Sequence, residues 1–411
     1  MNDMASPPAA TPIPTHVPPE LVDRTYPLYL GAFTSENPFD RIVPEVCAGP
    51  EVRYVPHVYP GGGPGWVFRR AEVMRQVYKD TEHFSSKGFS PFSMLIGDSW
   101  SQVPVEYDPP EHTGYRNLIN PLLAPQKMAA LEDKVRAHAR RYIDRFKDRG
   151  SCEFMSEFAF EYPIAVFLEL MGLPQEDVTQ LLKWEMGLLH EPDMAKCADA
   201  VRSVKGYLLE KMEERRHDPR DDFITFAVTA EINGRPLDEN ELIGLTFGLY
   251  IGGLDTVSTN MGLHFRHLAE KQEDQAWLRA HPDKIPLATE ELLRAYAAVT
   301  TFRTCIKETE VAGVRVLPGD KVAMATTLAC RDESKYPEPN AIRLERGPQH
   351  ETFGFGPHRC VGMHLARREL HVGIEEFFGA IPPFRIEPGA EIVSALGAMI
   401  QPTTLPLVWE R

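Results

Sequence analysis

A ten-residue stretch from Phe353 to Gly362 constrains the fold of this chain more than any other feature. It reads Phe-Gly-Phe-Gly-Pro-His-Arg-Cys-Val-Gly and leads directly into a helical pattern of apolar residues between Leu365 and Phe378. A cysteine at a helix N-terminus meets unpaired backbone N–H groups and the positive end of the helix dipole, which lower its pKa and favour the thiolate. Glycine lets the backbone take a positive φ or approach a flat, bulky partner closely. The loop therefore predicts that Cys360 is a thiolate metal ligand presented to such a partner.

Taken alone, Cys360 has an ordinary alternative as a buried structural cysteine in a turn. Three glycines, a phenylalanine and a histidine in fixed register around it favour the ligand interpretation. The run fits F-G-x-G-x-H-x-C-x-G, so the chain resembles the cytochrome P450 superfamily, whose haem-binding loop has this pattern. The resemblance implies a haem b cofactor with Cys360 as its axial thiolate ligand. It also implies that His358 faces a haem propionate, that Phe353 shields the sulfur and that Gly354 belongs to the haem-binding loop.

Composition and charge limit the classes of protein to which the chain can belong. Its 411 residues carry a formal charge of −15, which disfavours binding to nucleic acid or to an anionic membrane. The six cysteines include no Cys-x-x-Cys pair, so neither a zinc site nor a secreted disulfide framework is expected. Residues 1–30 form a proline-rich arm with no apolar run long enough for a signal peptide or a membrane span. We therefore expect a cytoplasmic protein with a single catalytic domain at residues 31–411.

Hydrophobic patterning predicts a mainly helical chain with small β-sheets. Apolar residues recur at three- and four-residue intervals through a helical part at about 108–298, and β-rich parts are expected at about 50–70, 300–330 and 382–409. We interpret the glycine-rich loop Gly61–Gly65 as a hairpin turn because no Gly-Lys-Ser/Thr follows it. The resemblance implies the cytochrome P450 fold, with a long kinked distal helix over the haem and the cysteine-ligand loop below it.

The long helix is visible in the sequence. Asp238 and Glu241 predict the capping box of a helix that runs to about Glu270. Its middle contains Gly252-Gly253, each costing about 1 kcal/mol in a helix relative to alanine, and Thr256, whose hydroxyl can bond the carbonyl of Gly252. Close packing against a neighbouring helix would explain the glycines alone. An acid and an alcohol placed directly after them favour a functional kink.

That acid and alcohol, Asp255 and Thr256, complete a segment that resembles the G-G-x-D-T motif of the family's distal helix. The resemblance implies that both residues are catalytic. Asp255 would relay protons from solvent, and Thr256 would hold an ordered water by hydrogen bonds where O2 is activated.

A basic group is expected to hold the haem propionates. His112 and Arg116 lie four residues apart on a predicted helix after Asp108-Pro109-Pro110, and such a pair is ordinarily a solvated face. The resemblance instead implies that both residues bind propionates together with Arg303 and His358, since arginine offers a forked charge-assisted contact. Thr301 departs from the camphor hydroxylases of the family, which have an acidic residue there, so the propionate hydrogen bonds are expected to differ.

The segment Glu290–Arg294 contains Glu-x-x-Arg, which in isolation is an ordinary surface pair on a helix. Its position between the long helix and the cysteine loop matches a second signature of the family. The resemblance implies that Glu291, Arg294 and Arg346 form a buried network that holds the proximal loop. We interpret this network as structural.

The resemblance is closest to the camphor hydroxylase family, within the soluble bacterial class. It implies a monomeric, O2-dependent monooxygenase that receives electrons from NAD(P)H through a ferredoxin reductase and a [2Fe-2S] ferredoxin. Arg116, Arg359 and Arg367 are expected to lie near the thiolate face, where they would suit an acidic ferredoxin, although they could instead serve propionates and helix ends. A haem-thiolate peroxygenase and a haem-based sensor are the alternatives. Retention of Asp255 and Thr256 disfavours both.

Alignment with that family predicts a substrate pocket with a mostly apolar wall, which suits a small hydrophobic ligand. The hypothesis is a terpenoid, either a monoterpenoid or a norisoprenoid, such as camphor, cineole or ionone. Trp100 would supply one N–H donor and Gly248 would remove bulk across the pocket, unless Trp100 points away into its loop. The predicted substrate-binding residues are Trp100, Gln102, Val105, Gly248, Ile251, Gly252, Val299 and Met399.

Overall fold

A computed structural model describes residues 12–59, 62–191 and 193–411 of the chain. Gly61 and the first eleven residues of the proline-rich arm lie outside the described residues. The remainder of the arm packs on the body, since Val17, Tyr26 and Leu28 are buried. The division into an arm and one catalytic domain stays a prediction.

Helices dominate the structure, as the patterning predicts. The α-helices are α1 (Ile42–Ala48), α2 (Ala71–Lys79), α3 (Phe92–Leu95), α4 (Glu111–Ile119), α5 (Pro125–Ala130), α6 (Glu132–Ile143), α7 (Glu161–Met171), α8 (Val178–Leu189), α9 (Met194–His217), α10 (Phe223–Thr229), α11 (Glu239–Glu270), α12 (Gln272–Ala280), α13 (Ile285–Ala295), α14 (Thr326–Ala329) and α15 (Met363–Ala380). Short 3-10 turns lie at Pro19–Leu21, Asn120–Leu123, Gln175–Asp177 and Pro282–Lys284, and a π-helical turn lies at Met155–Ala159.

The strands are short and fall mostly where the sequence predicts them. They are β1 (Phe33–Thr34), β2 (Val52–Tyr59), β3 (Gly63–Phe68), β4 (Phe84–Ser85), β5 (Ser151–Glu153), β6 (Glu231–Ile232), β7 (Arg235–Pro236), β8 (Thr300–Cys305), β9 (Thr309–Val311), β10 (Val314–Val316), β11 (Lys321–Ala325), β12 (Phe384–Ile386), β13 (Ser394–Ala395), β14 (Gln401–Pro402) and β15 (Pro406–Trp409).

The largest sheet joins two distant parts of the chain. Its strand order is β2-β3-β11-β8-β4, with β11 parallel to β3 and antiparallel to β8. Antiparallel pairing of β2 with β3 agrees with the predicted hairpin, but Gly63, Pro64 and Gly65, which were predicted in its turn, belong to β3. Smaller sheets have the orders β1-β13-β14 and β12-β15-β5, and β6-β7 and β9-β10 form pairs. These sheets place strand residues from both ends of the chain beside the helical body.

The core is organised around α11. Asp238 and Glu241 form the predicted capping box, and the helix continues for 32 residues, or about 48 Å at 1.5 Å per residue. Most of its side chains are buried. Among the described residues it is also the single helix long and apolar enough to be considered as a membrane span, a test that the core helix of a soluble protein passes as well.

Glycines let other elements approach α11 closely. A Cβ on Gly244 would lie 2.0 Å from the carbonyl oxygen of Ser101, and a Cβ on Gly253 would lie 2.9 Å from the Phe167 ring on α7. On the other side, a Cβ on Gly373 of α15 would lie 2.8 Å from Met261 of α11. The helix after the cysteine loop therefore packs directly against the long helix.

Candidate active site

The loop that presents Cys360 has the conformation that its glycines predict. Gly354 and Gly356 have φ values of +67° and +70°, in the left-handed region that favours glycine. A Cβ on Gly356 would also lie 2.8 Å from the backbone oxygen of Tyr78. The backbone N–H of Cys360 donates to the carbonyl of Phe353 at 2.9 Å, which closes the loop, and α15 begins three residues later.

The surroundings of the Cys360 thiol act on its pKa in two opposite directions. Burial raises the pKa of this thiol above its ordinary value, although the backbone N–H of Gly362 and the guanidinium groups of Arg116, Arg367 and Arg359 lower it. Desolvation thus outweighs the helix terminus and the arginines in the protein alone. A coordinated metal ion supplies the stabilisation that ionises a thiol in such a place.

The predicted Glu-x-x-Arg network is present. Both carboxylate oxygens of Glu291 accept bonds of 2.8 Å from Arg294, and the two side chains are fully buried. Arg346 lies 3.1 Å from Glu291, completing the trio that the resemblance implies. The adjacent Glu290 accepts two bonds from Arg367 of α15, at 2.6 and 2.8 Å. The helix α13 therefore holds the helix that follows the cysteine.

A basic cluster lies beside the cysteine loop, with His112 and Arg303 buried and Arg116 and His358 partly exposed. The rings of His112 and His358 are 4.1 Å apart, and neither nitrogen of His112 has a hydrogen-bond partner among the described residues. Burial, with Arg116 and Arg303 nearby, lowers the pKa of His112 to about 4. Burial, Arg303, His112 and Arg116 lower the pKa of His358 to about 2.

Such a cluster fits an anionic group. Buried donors without partners are costly, and carboxylates are the natural acceptors for two histidines and two arginines. The residues present therefore fit the propionates of a haem, and they lie next to a cysteine that can serve as the metal ligand. Among the described residues, no group of three or more His, Cys, Asp or Glu side chains could itself hold a metal ion.

Thr301, the departure from the camphor hydroxylases, has a partner of its own. Its hydroxyl lies 3.0 Å from the Tyr78 hydroxyl, and the Arg303 guanidinium lies 5.4 Å from the centre of the Tyr78 ring. Arg116 donates to the carbonyl of Arg359 at 2.8 Å. Tyr78 therefore supports the basic cluster, a role that no local pattern around it indicates.

One face of α11 is accessible in the middle of an otherwise buried helix. Gly248, Gly252 and Thr256 follow one another at four-residue intervals and so share a face, and all three are at least partly exposed, as is Ile251. A Cβ on Gly252 would meet no protein atom within 4 Å. As predicted, the Thr256 hydroxyl donates to the carbonyl of Gly252, at 3.2 Å. The carbonyl of Gly252 therefore accepts a side-chain hydrogen bond, and α11 stays continuous through this turn.

Asp255 lies on the buried side of the same turn. Its side chain is 2% exposed, and Gln401 of β14 donates to its Oδ1 at 2.5 Å. The Nε2 of His190, just beyond α8, lies 3.3 Å from its Oδ2. The helix thus places a held carboxylate directly next to an accessible hydroxyl.

The predicted substrate-binding residues fall into two groups. Val299 and Met399 pair in an isolated antiparallel bridge, so the structure brings these two together, and Val105 is 38% exposed. Gly248 lies against the loop 101–103, since a Cβ on Gly248 would be 3.3 Å from the carbonyl oxygen of Val103. The glycine therefore lets the loop approach the helix, where extra cavity space was expected.

Trp100 and Gln102 are bound within the protein. The indole N–H of Trp100 donates to Asp98 at 3.0 Å, and its ring packs 4.8 Å from that of Phe247. The expectation that this N–H is free for substrate is therefore wrong, because Asp98 already accepts it. Gln102 is buried and donates to the hydroxyl of Ser90 at 2.9 Å.

Sequence reasoning missed several residues around the site. Gln401 and His190 contact Asp255 from 146 and 65 positions away in the chain, so no local spacing could have revealed them. Ser86, whose hydroxyl lies 3.2 Å from Nε2 of His358, is 272 positions distant from it. A long-range partner of this kind leaves no periodic signal.

Known proteins resemble this chain over nearly its whole length. Residues 164–380 match the cytochrome P450 family. The probable cytochrome P450 127A1 of Sinorhizobium fredii is 39% identical over 404 residues, which cover 97% of each chain. The crystal structure of cytochrome P450 CYP101C1 is 32% identical and superposes with a TM-score of 0.86 over 97% of this chain and 100% of that one. The structure of CYP101J2 is 30% identical, with the same TM-score, over 98% and 100%.

Proposed function

This chain belongs to the cytochrome P450 family and is a monooxygenase with haem b as cofactor, and we propose that it hydroxylates a small hydrophobic terpenoid with electrons from a [2Fe-2S] ferredoxin. One observation carries the proposal: α11 places the accessible hydroxyl of Thr256 directly after the buried, hydrogen-bonded carboxylate of Asp255. A sensor has no use for this pair. A peroxygenase, which receives both oxygen atoms and their protons in peroxide, does not need it either.

In this proposal the chain holds the haem from two sides. Cys360 would hold the iron as a thiolate ligand, and His112, Arg116, Arg303 and His358 would bind the propionates. Phe353 and Gly354 shape the loop around the sulfur. The haem, when bound, supplies the oxidation of an unactivated C–H bond by O2, with one oxygen atom leaving as water.

The chain itself supplies the protons. The Asp255 carboxylate, held at one oxygen by Gln401, accepts a proton from the solvent side and passes it to a water held by the Thr256 hydroxyl. Because the Thr256 hydroxyl bonds the carbonyl of Gly252, it is oriented on the accessible face of the helix.

The substrate class rests on the resemblance to the camphor hydroxylase family, and the likeness to CYP101C1 and CYP101J2 supports membership of the cytochrome P450 family. Val105, Ile251, Val299 and Met399 are the apolar residues proposed to contact the substrate, and of these Val299 and Met399 pair with each other. Camphor, cineole and ionone are the compounds that we propose to test first. Because Trp100 donates to Asp98, substrate selection is expected to depend on shape more than on an indole hydrogen bond.

The proposed electron donor docks at the thiolate face. Arg116, Arg359 and Arg367 all act on the Cys360 thiol electrostatically, so they lie near it. Arg367 is bound to Glu290, and Arg116 is bound to the backbone of the cysteine loop. The exposed Arg359 is therefore the arginine that an acidic ferredoxin could contact. We propose that the protein works in the cytoplasm as a monomer.

Reconstitution tests this proposal. The purified haem protein is titrated with camphor, cineole and ionone, and the low-spin to high-spin shift gives the affinity of each. The compound with the largest shift is then incubated under ¹⁸O2 with NAD(P)H, a ferredoxin reductase and a [2Fe-2S] ferredoxin, and in parallel with hydrogen peroxide alone. We expect one ¹⁸O atom in the product of the first reaction and little product in the second. Product from peroxide alone at an equal rate would favour the peroxygenase, and no spin shift with any of the three compounds would reject the terpenoid class.

A further inference from the structure

Glu185, on α8, is a buried acid that the proposed reaction does not use. Its side chain is about 2% exposed, and both carboxylate oxygens are inaccessible and without a hydrogen-bond partner among the described residues. An ionised carboxylate in this position would be very costly. Burial raises the pKa of Glu185 well above its ordinary value, and the nearby Asp255 raises it further. Burial without a donor therefore favours the neutral acid form of Glu185.

His190 connects this buried acidic pair to solvent. Its Nε2 lies 3.3 Å from Oδ2 of Asp255, an ion-pair separation that lacks hydrogen-bond geometry. The side chain of His190 is 26% exposed, while that of Asp255 is 2% exposed. His190 thus touches both the buried carboxylate and the surface. Imidazole is also the side chain that exchanges protons most readily near neutral pH.

The other titratable groups around α8 are engaged elsewhere. The Tyr250 hydroxyl of α11 donates to the carbonyl of Leu181 at 2.6 Å, and Cys197 of α9 donates its S–H to the carbonyl of Leu188. Glu191 lies 3.4 Å from Lys196 in an ion pair. In the part of the chain that the structure describes, His190 is the basic side chain paired with Asp255.

We propose that His190 is the entry point for protons and passes them from solvent to Asp255. Glu185 remains beside Asp255 as a neutral acid. The proton leaves Nε2 of His190 for Oδ2 of Asp255, and the neutral imidazole is protonated again at its exposed edge. Asp255 returns to the carboxylate when it hands the proton to the water held by Thr256. His190 acts through Asp255 and is therefore a positioning residue. The inference rests on the proposed function, because it requires Asp255 to relay protons.

Glu185 determines which member of the pair is charged. Two neighbouring carboxyl groups in a protein interior hold one proton between them, since both cannot be ionised at low cost. Asp255 has Gln401 and His190 to stabilise its charge, whereas Glu185 has no donor among the described residues. The proton therefore stays on Glu185, and Asp255 is kept free to accept the next one.

The first test concerns His190. Replacing it as His190→Gln removes the proton donor at an exposed position, so the protein should fold normally and the spin-shift affinity for substrate should be unchanged. We expect kcat to fall roughly tenfold, and the solvent deuterium isotope effect on kcat to increase. His190→Lys restores a proton-bearing group beside Asp255 and should recover part of the rate.

The matched control is His217→Gln, which removes an exposed histidine paired with Glu213 at 2.9 Å, on α9. It should leave kcat and the isotope effect at the parent values. If His190→Gln behaves like this control, protons do not enter through His190 and the inference fails.

The second test reads the proton on Glu185 without turnover. The infrared spectrum of the resting protein at pH 7 should contain the C=O stretch of a buried carboxylic acid. Because Glu369 is a second buried acid whose pKa is raised by burial, the band should lose only its Glu185 component in Glu185→Gln, and it should be unchanged in Glu191→Gln, which removes a neighbouring acid that has an ion-pair partner. Identical spectra for parent and Glu185→Gln in this region would show that Glu185 is ionised.

Asp255→Asn separates the two proposals. If Asp255→Asn keeps the parent kcat, Asp255 is not the proton relay and the proposed function loses its central feature. If Asp255→Asn is slow while His190→Gln is not, the proposed function stands and the entry point through His190 is rejected.

Discussion

His264 shows what one buried side chain does to the pH dependence of stability. It lies fully buried on α11, where burial, followed by His267 and His371, lowers the pKa of its imidazole to about 3. An unfolded histidine titrates near 6.5. Between these values the unfolded state binds a proton that the folded state does not, so stability is lost as the pH falls below about 6.5.

We predict that His264→Phe flattens this dependence. Between pH 6.5 and pH 5 the free energy of unfolding of the parent should fall by about 1.6 kcal/mol more than that of the variant, because the unfolded histidine, half protonated at pH 6.5, completes its proton uptake at up to about 1.36 kcal/mol per pH unit. Urea unfolding of both proteins at several pH values measures the difference. His217→Gln, which changes an exposed histidine, should retain the parent slope, and an unchanged slope in His264→Phe would contradict the assignment.

Cys360 is the proposed thiolate ligand of the haem iron. We predict that Cys360→Ser retains haem poorly and lacks the red-shifted absorption band of the ferrous CO adduct, because an alkoxide is far harder to form than a thiolate. Cys197→Ser, a buried cysteine on α9, is the control and should keep both haem and band. A normal ferrous CO band in Cys360→Ser would remove this cysteine from the role of ligand.

The residues that sequence could predict are those with local or fixed-spacing signals. Cys360, its glycines and the Glu291–Arg294 pair sit in short runs whose geometry follows from neighbouring residues, and the structure has that geometry. Trp100 is different, because the partner of its N–H depends on how its loop folds over α11. Its bond to Asp98 and its contact with Phe247 are packing outcomes that periodicity does not specify.

At the scale of elements, the approach of the loop 101–103 to α11 depends on Gly244. A Cβ there would lie 2.0 Å from the carbonyl oxygen of Ser101, and the carbonyl of Gly244 accepts a bond from the N–H of Val103 at 3.1 Å. The helix ends were predictable because the capping box is local. The close approach was not, because its partner comes from another segment of the chain.

We predict that Gly244→Ala destabilises the protein by about 1 to 3 kcal/mol, the usual cost of overpacking. Gly206→Ala is the matched control: Gly206 lies in the interior of α9, a Cβ there meets nothing within 4 Å, and alanine should stabilise the helix by about 1 kcal/mol. Thermal unfolding of the two variants should therefore give shifts of opposite sign. A stabilised Gly244→Ala would show that the loop is not held against the helix.

At the scale of the whole molecule, the proposed site draws on three distant parts of the chain. The basic cluster comes from α4, β8 and the proximal loop, the thiol from the loop before α15, and the acid and alcohol from the centre of α11. The protein family and its haem cofactor were predictable from the sequence because each of these three parts carries its own motif. The partners of Asp255 were not, since Gln401 and His190 belong to elements without any motif.

The most direct test of the central claim is the fate of electrons in Thr256→Ala and Asp255→Asn. Product and hydrogen peroxide formed per NAD(P)H are measured for each variant and for the parent, with the same terpenoid and ferredoxin system. Thr256→Ala should bind substrate normally but send most electrons to hydrogen peroxide, because the water that delivers protons is no longer held. Asp255→Asn should turn over slowly with less loss to peroxide. Parent-level product per NAD(P)H at the parent rate in both variants would contradict the account.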